Sequence, residues 1–525
     1  MPACSLKLAM TYQKLRMVVL LTSLVCAGAA DGQDQANRVT VHWNKLIRIS
    51  RTTPTLQVVV NPPLRRGTSI HDPVFQALRG LQADYARYVP WLPYPRLGVA
   101  ELEPPEGGKT SWDFSLIDPM TIDFLEATKG HPVIVNFSTI PQWMFKTEQP
   151  VSYPKDPDQV TWDYEKGTEL RDPSAREVAD YYGRLFAWYT KGGFTDEFGK
   201  RHESGHRFVI PYWEVLNEPD FEHRMTPETY AKVYDAVVES IRSVAPDTKF
   251  VGLALAAPSD NPAYFEYFLN PKNHKPGIPI DFISYHFYAS PTADQTPEIQ
   301  EYTFFTQADG FLKVVRYIEQ IRRRLSPETR TTVDELGTFS AGDFGQDEPG
   351  HVTGPIPNSY WNLSAAVYAY LFAELTRLGI DVAGESQLVG YPTQFPGVSM
   401  VDWDDGKPNA RFWVLRMLKD SFGPGDKVVE VDYDGPSAAI FAVETKQGSR
   451  RVLIVNERSR ELEVRVPGAE GGEMQVVDKT TAFDPPARST LRSENIKIGG
   501  LGVAVIHLPP SAVEADKTPG GKGSL

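Results

Sequence analysis

The chain has 525 residues, with 54 Lys and Arg against 67 Asp and Glu, for a formal net charge of -13. That length predicts one large domain with a smaller module attached, and the acidic balance argues against nucleic acid or an anionic membrane surface as the main partner. The two cysteines, Cys4 and Cys26, both lie near the N-terminus, which leaves the rest of the chain without disulfides, thiolate metal ligands or a thiol nucleophile. Residues 1–30 read as an export signal, in which Lys7, Lys14 and Arg16 precede the apolar run Met17-Val18-Val19-Leu20-Leu21 and the small residues Ala27-Gly28-Ala29-Ala30. Secretion is the expected destination, or the periplasm if the source is a Gram-negative bacterium. A lipid anchor at Cys26 is the rival reading, although Ser23-Leu24-Val25 offers no small residue directly before the cysteine. No other segment is apolar for long enough to span a bilayer.

Residues 31–54 contain the strand-like Val39-Thr40-Val41-His42-Trp43, expected to join a C-terminal β-sandwich. From 55 to 425, short apolar runs alternate with helix-period segments, the pattern of a (β/α)8 TIM barrel. The predicted strands are Leu56 to Val60, Tyr85 to Val89, Val133 to Phe137, Trp213 to Leu216, Lys249 to Leu253, Phe282 to Phe287, Thr331 to Asp334, and a weakly marked eighth near Val382 to Leu388. Predicted helices run from Glu177 to Tyr189, from Pro227 (capped by Thr226) to Val244, from Gly310 to Leu325, and from Tyr360 to Leu378. After Gly423-Pro424-Gly425, short runs such as Val428-Val429-Glu430-Val431 and Leu462-Glu463-Val464-Arg465-Val466 predict an antiparallel β-sandwich over 426–510. Residues 511–525 read as a tail. Asn136-Phe137-Ser138 and Asn362-Leu363-Ser364 fit the N-glycosylation pattern.

Two glutamates stand where barrel strands should end, and functional groups of such barrels gather at that end. Glu218, in Leu216-Asn217-Glu218-Pro219-Asp220, is followed by a proline that stops strand pairing. Glu335 follows Thr332-Val333-Asp334, with Gly337 allowing a turn. A pair of carboxyl groups can protonate a departing glycosidic oxygen and meet the oxocarbenium-like carbon from the other side. Alternation along strand six places Ser284, His286 and Tyr288 on one face. No metal-ligand spacing, phosphate-cradling glycine loop or serine nucleophile elbow is evident, and hydrolysis by two carboxylates needs no cofactor or metal.

These residues carry a resemblance. Asn217-Glu218-Pro219-Asp220, the run Asp281-Phe282-Ile283-Ser284-Tyr285-His286-Phe287-Tyr288, Asp334-Glu335-Leu336 and Trp112-Asp113-Phe114-Ser115 resemble the clan A glycoside hydrolases. Family 39, which includes β-xylosidases and α-L-iduronidases, is the most similar, over roughly Pro54 to Pro509. The resemblance implies a (β/α)8 barrel with Glu218 as general acid/base, Glu335 as nucleophile, and retention of anomeric configuration. It also implies that Asn217 meets the sugar 2-hydroxyl, that His286 and Tyr288 orient the nucleophile and contact substrate, and that Arg87 keeps Glu335 ionised. Read alone, Asn217 is more often a turn residue, and the alternatives for His286 and Arg87 are a satisfied core histidine and a surface arginine. The stretch Asp334-Glu335-Leu336-Gly337-Thr338 departs from the Thr-Glu-Phe/Trp-Asn form common in the family.

Sugar rings stack on aromatic side chains, and of Trp91, Trp143, Trp361, Trp403 and Tyr391 the first choice is Trp143, which closely follows strand three. The expected partner is an oligo- or polysaccharide, the leading substrate a β-xyloside. A uronide would need a cation for its carboxylate, for which Arg224 is the candidate. The competing readings are a carbohydrate-binding barrel without turnover and a barrel lyase or isomerase. The sequence leaves the oligomeric state open.

Overall fold

The computed structural model describes residues 37–149, 152–162, 167–292, 295–344, 354–435 and 437–510. The expected export signal with Cys4 and Cys26, and the expected tail 511–525, lie outside them.

Eight parallel strands close into the expected barrel: Thr53–Val59, Ala86–Val89, Val133–Val135, Tyr212–Glu214, Lys249–Leu255, Phe282–Ala289, Arg330–Thr338 and Val382–Glu385, in that order around the ring. Hereafter they are strands one to eight. Their near-continuous apolar character follows from burial on both faces, since helices cover the outside and side chains fill the inside. The two-residue period sorts the interior into layers. Ile134, Tyr212, Val251, Phe282 and Val382 pack together at the N-terminal end against Tyr85, and the Arg330 guanidinium lies 4.3 Å from the centre of the Phe282 ring. One step higher along strands one to four and six, the inward positions are the polar Gln57, Arg87, Asn136, Glu214 and Ser284.

Several boundaries differ from the sequence reading. Strand four ends at Glu214, not Leu216, and strand seven continues past Asp334 to Thr338. The helix expected from Gly310 starts at Pro297 and runs 29 residues. Gly310 sits inside it at a cost of about 1 kcal/mol, which burial of Phe304, Phe305, Ala308, Phe311 and Leu312 offsets. A small hairpin, Gly193–Thr195 with Arg201–Glu203, was not anticipated. Neither glycosylation pattern presents an acceptor, because Asn136 and Asn362 are both buried.

The C-terminal module is a sandwich of a seven-stranded antiparallel sheet and the pair Leu462–Arg465 with Asn495–Ile498. The N-terminal strand Thr40–Ile49 joins the larger sheet, antiparallel to Lys427–Asp432. Ile440, Val452, Ile454, Ala504 and Ile506 face the smaller sheet. Phe441, Val443, Leu453, Val455, Val503 and Val505 belong to the core shared with the barrel. Among the described residues, no helix is long and apolar enough to cross a membrane.

Candidate active site

A cleft of about 590 Å³ opens at the C-terminal ends of the barrel strands, and Glu218 and Glu335 both line it. Each glutamate reaches it through a local departure from regular strand geometry.

Beyond strand four the backbone turns left-handed at Leu216 (φ 63°) and Glu218 (φ 42°), a region that side-chain-bearing residues rarely occupy. Three hydrogen bonds hold this course: Asn136 Nδ2 donates to the Leu216 carbonyl at 2.9 Å, the Glu218 amide donates to the Ala254 carbonyl at 2.9 Å, and the Glu222 amide donates back to the Glu218 carbonyl at 2.8 Å. The result swings Asn217 and Glu218 over the barrel mouth.

In strand seven the pairing with strand six slips between Thr332 and Glu335, as at a bulge. Neighbours in a regular strand point to opposite faces. Here Asp334 and Glu335 both reach the barrel interior: Asp334 Oδ2 is 3.6 Å from Arg87 Nε, and Glu335 Oε1 is 2.5 Å from Arg87 Nη1. Gly337 makes no turn, contrary to the sequence reading. A Cβ there would stand 2.8 Å from the Tyr288 ring, so glycine is what lets that ring lie across strand seven.

Arg87 organises the floor. Its Nε donates to Glu214 Oε2 at 2.5 Å, Nη1 to Gln57 Oε1 at 2.7 Å as well as to Glu335, and Nη2 to Asn217 Oδ1 at 2.6 Å. Glu214 also accepts from Asn136 Nδ2 at 2.8 Å and Ser284 Oγ at 2.5 Å. Tyr288 donates to Glu335 Oε2 at 2.6 Å and meets Ser386 Oγ at the same distance. A phenol has one proton and a carboxylate can only accept, so the proton goes to Glu335 and Ser386 serves as donor to the tyrosine oxygen.

The environment drives the two glutamates apart. Burial raises Glu218 above the ordinary carboxylate range; the hydrogen bond and charge of His286, whose Nδ1 is 2.8 Å from Glu218 Oε1, only partly oppose this, and the charges of Glu335 and Asp220 add to it. Burial also works against ionisation of Glu335, but the charges of His286 and Arg87 and the hydrogen bonds from Tyr288 and Arg87 outweigh it, leaving Glu335 below its ordinary value. For His286, burial is overcome by Glu335 and Glu218, which push its pKa up to about 9. Burial drives Asp334 and Glu222 well above the carboxylate range. The charge of Arg87 holds Glu214 below its ordinary value against burial.

The structure thus brings Arg87, Asn217, Glu218, His286, Tyr288 and Glu335 together. His286 touches Glu218 more closely than Glu335, from whose Oε2 it lies 3.5 Å. Trp143 is not part of the cleft: it is buried, its Nε1 donates to the Glu101 carbonyl at 2.8 Å, and Arg171 covers its ring. The aromatic wall is instead built from Trp91, Trp162, Phe339 and Phe395, with Phe339 stacked on Tyr288 at 4.4 Å. Trp361 is buried in a helix, and Arg224 is exposed and outside the lining. Gln57, Asn136, Glu214, Glu222, Asp334 and Ser386 were not singled out from sequence. Strand period could have found Gln57 and Glu214, whereas Asp334 needed the bulge. Single ligand atoms of Glu218, His286 and Glu335 all lie within 4.8 Å of one another, a spacing a cation could bridge. Arg87 and Tyr288 already hold both oxygens of Glu335, however, and His286 holds Glu218.

A barrel of this fold with this carboxylate-rich mouth defines the class of a glycoside hydrolase. The model of the glycosyl hydrolases family 39 matches residues 194–340, the segment carrying strands four to seven with both glutamates, and the resemblance read from the sequence stands. No curated protein matches the chain. Among solved structures, the GH51 arabinofuranosidase from Xanthomonas axonopodis pv. citri superimposes with a TM-score of 0.61 at 15% identity, covering 90% of this chain and 100% of that one. The family 51 α-L-arabinofuranosidase AbfB from Bifidobacterium longum gives 0.61 at 12%, covering 90% and 99%. A GH39 β-xylosidase from Caulobacter crescentus gives 0.55 at 14%, covering 90% and 100%.

Proposed function

We propose that this chain is an exported, retaining glycoside hydrolase acting on a neutral glycoside, with a β-xyloside as the first candidate. The carrying observation is that one oxygen of Glu218 and one of Glu335 lie within 4.8 Å. Oxygens that close suit the short ~5–5.5 Å carboxyl spacing of retaining enzymes. In the first step the Glu335 carboxylate bonds to the anomeric carbon as the glycosidic C–O bond breaks, and the Glu218 proton passes to the departing oxygen. Esterification removes the charge of Glu335, so the pKa of Glu218 falls. Glu218 then takes a proton from water as the oxygen attacks the anomeric carbon, and Glu335 leaves as a carboxylate. Asn217, oriented by Arg87 and Glu222, is placed to meet a sugar hydroxyl.

The described lining residues include no Lys or Arg, which counts against a uronide, whose carboxylate calls for a cation. An α-L-arabinofuranoside is the second reading, favoured by the two family 51 neighbours. The opposed environments of Glu218 and Glu335 count against a binder without turnover.

The test is hydrolysis of chromogenic xylosides, arabinosides, glucosides, galactosides and iduronides by wild type, Glu218→Ala and Glu335→Ala, with azide added to each variant. The expected result is cleavage of one neutral glycoside and rescue of the two variants to glycosyl azides of opposite anomeric configuration. Azide products of one configuration from both variants would overturn the assigned roles, and preference for an iduronide would overturn the sugar class.

A further inference from the structure

The general acid must stand beside the departing oxygen, so the leaving group lies on the Glu218 side of the cleft, against the loops that follow strands four and five. In the loop after strand four no polar side chain other than Asn217 and Glu218 lines the cleft. Asp220 accepts the amides of Ala256 and Ala257, one on each carboxylate oxygen, both at 3.1 Å. Glu222 is buried and accepts from Trp91 Nε1 at 2.6 Å and Asn217 Nδ2 at 2.8 Å. His223 is buried, stacked on Phe145 and 2.9 Å from the Gly167 carbonyl. Arg224 lies outside the lining. What this loop turns toward the cleft beyond Glu218 is Phe221, a phenyl ring left 64% exposed and fixed by its own amide, which donates to the Glu218 carbonyl at 2.9 Å. The loop after strand five contributes Ala256, and strand six contributes Tyr288, whose hydroxyl is committed to Glu335 and Ser386.

Resting on the glycosidase reading above, we propose that the leaving group is an apolar alcohol, alkyl or aryl, which lies against Phe221 and Ala256, and not a second sugar. A leaving sugar would bring hydroxyls against Phe221 and Ala256, whose side chains carry no polar atom to receive them, and polar groups desolvated without partners are costly. An alkyl chain loses nothing there and gains by covering the exposed ring. The chain therefore removes a sugar from a hydrophobic carrier, and the reaction that supplies its substrate is a glycosylation of an alkyl or phenolic hydroxyl.

Glycosyl fluorides of the same sugar panel test the underlying activity without any aglycone. Octyl glycoside, methyl glycoside and disaccharide of the sugar so identified then test the leaving-group side, since octanol and methanol are alcohols of similar acidity and leave with similar ease once protonated. The expected result is a kcat/KM for the octyl glycoside at least about tenfold above both others, the discrimination that one or two buried methylenes give. In Phe221→Ser the octyl-to-methyl ratio should fall toward one, and in Phe221→Leu it should persist. A disaccharide cleaved as well as the octyl glycoside, or an unchanged ratio in Phe221→Ser, overturns the inference while fluoride hydrolysis upholds the glycosidase. Failure to hydrolyse any fluoride overturns both.

Discussion

At the scale of single residues, the site separates two chemically identical side chains by what surrounds them. Glu335 is held below its ordinary pKa against burial by His286, Arg87 and Tyr288, and Glu218 is raised by burial. In the proposed mechanism turnover needs Glu335 ionised, so activity should be lost as pH falls through its lowered pKa. It needs Glu218 protonated, so activity is lost as pH rises through its raised pKa. The profile of kcat/KM against pH should be a bell wider than two ordinary carboxyl groups would give, with limbs that belong to the pair, and Glu218→Gln should remove the alkaline limb. Arg87 carries a second prediction. Arg87→Met leaves the fully buried Glu214 without its countercharge, which should cost about 3–5 kcal/mol in urea unfolding, and it should move the acid limb upward because Glu335 loses a cation. Arg87→Lys keeps the charge but not the fork that reaches Glu214, Gln57, Glu335 and Asn217 at once, so stability should recover more than activity.

At the scale of elements, two irregular strand ends do what regular strands cannot. The bulge in strand seven turns both Asp334 and Glu335 inward, and Gly337 lets Tyr288 cross the strand. Gly337→Ala should leave the fold intact, as judged by circular dichroism, yet lower kcat by about 10- to 100-fold, because a ring displaced by a fraction of an ångström no longer donates to Glu335. The same variant should raise the acid limb of the pH profile, which a packing defect elsewhere would not do. Sequence alone marked Glu218 by the proline after it, although strand four already ends at Glu214 and the left-handed turns at Leu216 and Glu218 are what carry the side chain over the mouth. It marked Glu335 for a reason the structure corrects: the strand does not end there, and the glycine makes room for a ring instead of a turn. Asp334 was invisible, since alternation assigns it to the face opposite Glu335 and only the pairing with strand six reveals the slip.

At the scale of the molecule, the central strands of the larger sheet of the sandwich are buried on both sides. Phe441 packs within 5.7 Å of the Phe422 ring and 6.4 Å of the Phe372 ring, and Arg377 covers it while donating to the Ile440 carbonyl. The sandwich is therefore a wall of the barrel's own core. Phe441→Ala should cost about 3–5 kcal/mol, and deletion of residues 427–510 should give a barrel that aggregates, measured by light scattering of the purified protein. A single calorimetric transition is expected for the full chain, because the shared core couples the two modules.

The sequence by itself determined the class of fold and the main polar residues of the mouth. Strand and helix periods are local, and inward positions on a strand follow from alternation; Gln57, Arg87, Glu214, Ser284, His286 and Tyr288 obey it. Only the tertiary structure decided which aromatics form the cleft, replacing Trp143 with Trp91, Trp162, Phe339 and Phe395, because a loop's course depends on distant contacts. It alone showed the left-handed turns at Leu216 and Glu218 and the bulge before Glu335. It alone also showed the surroundings that raise Glu218, Glu222 and Asp334 and lower Glu214 and Glu335. Those shifts depend on burial and on charges brought together from strands two, four, six and seven, and no short stretch of sequence contains them.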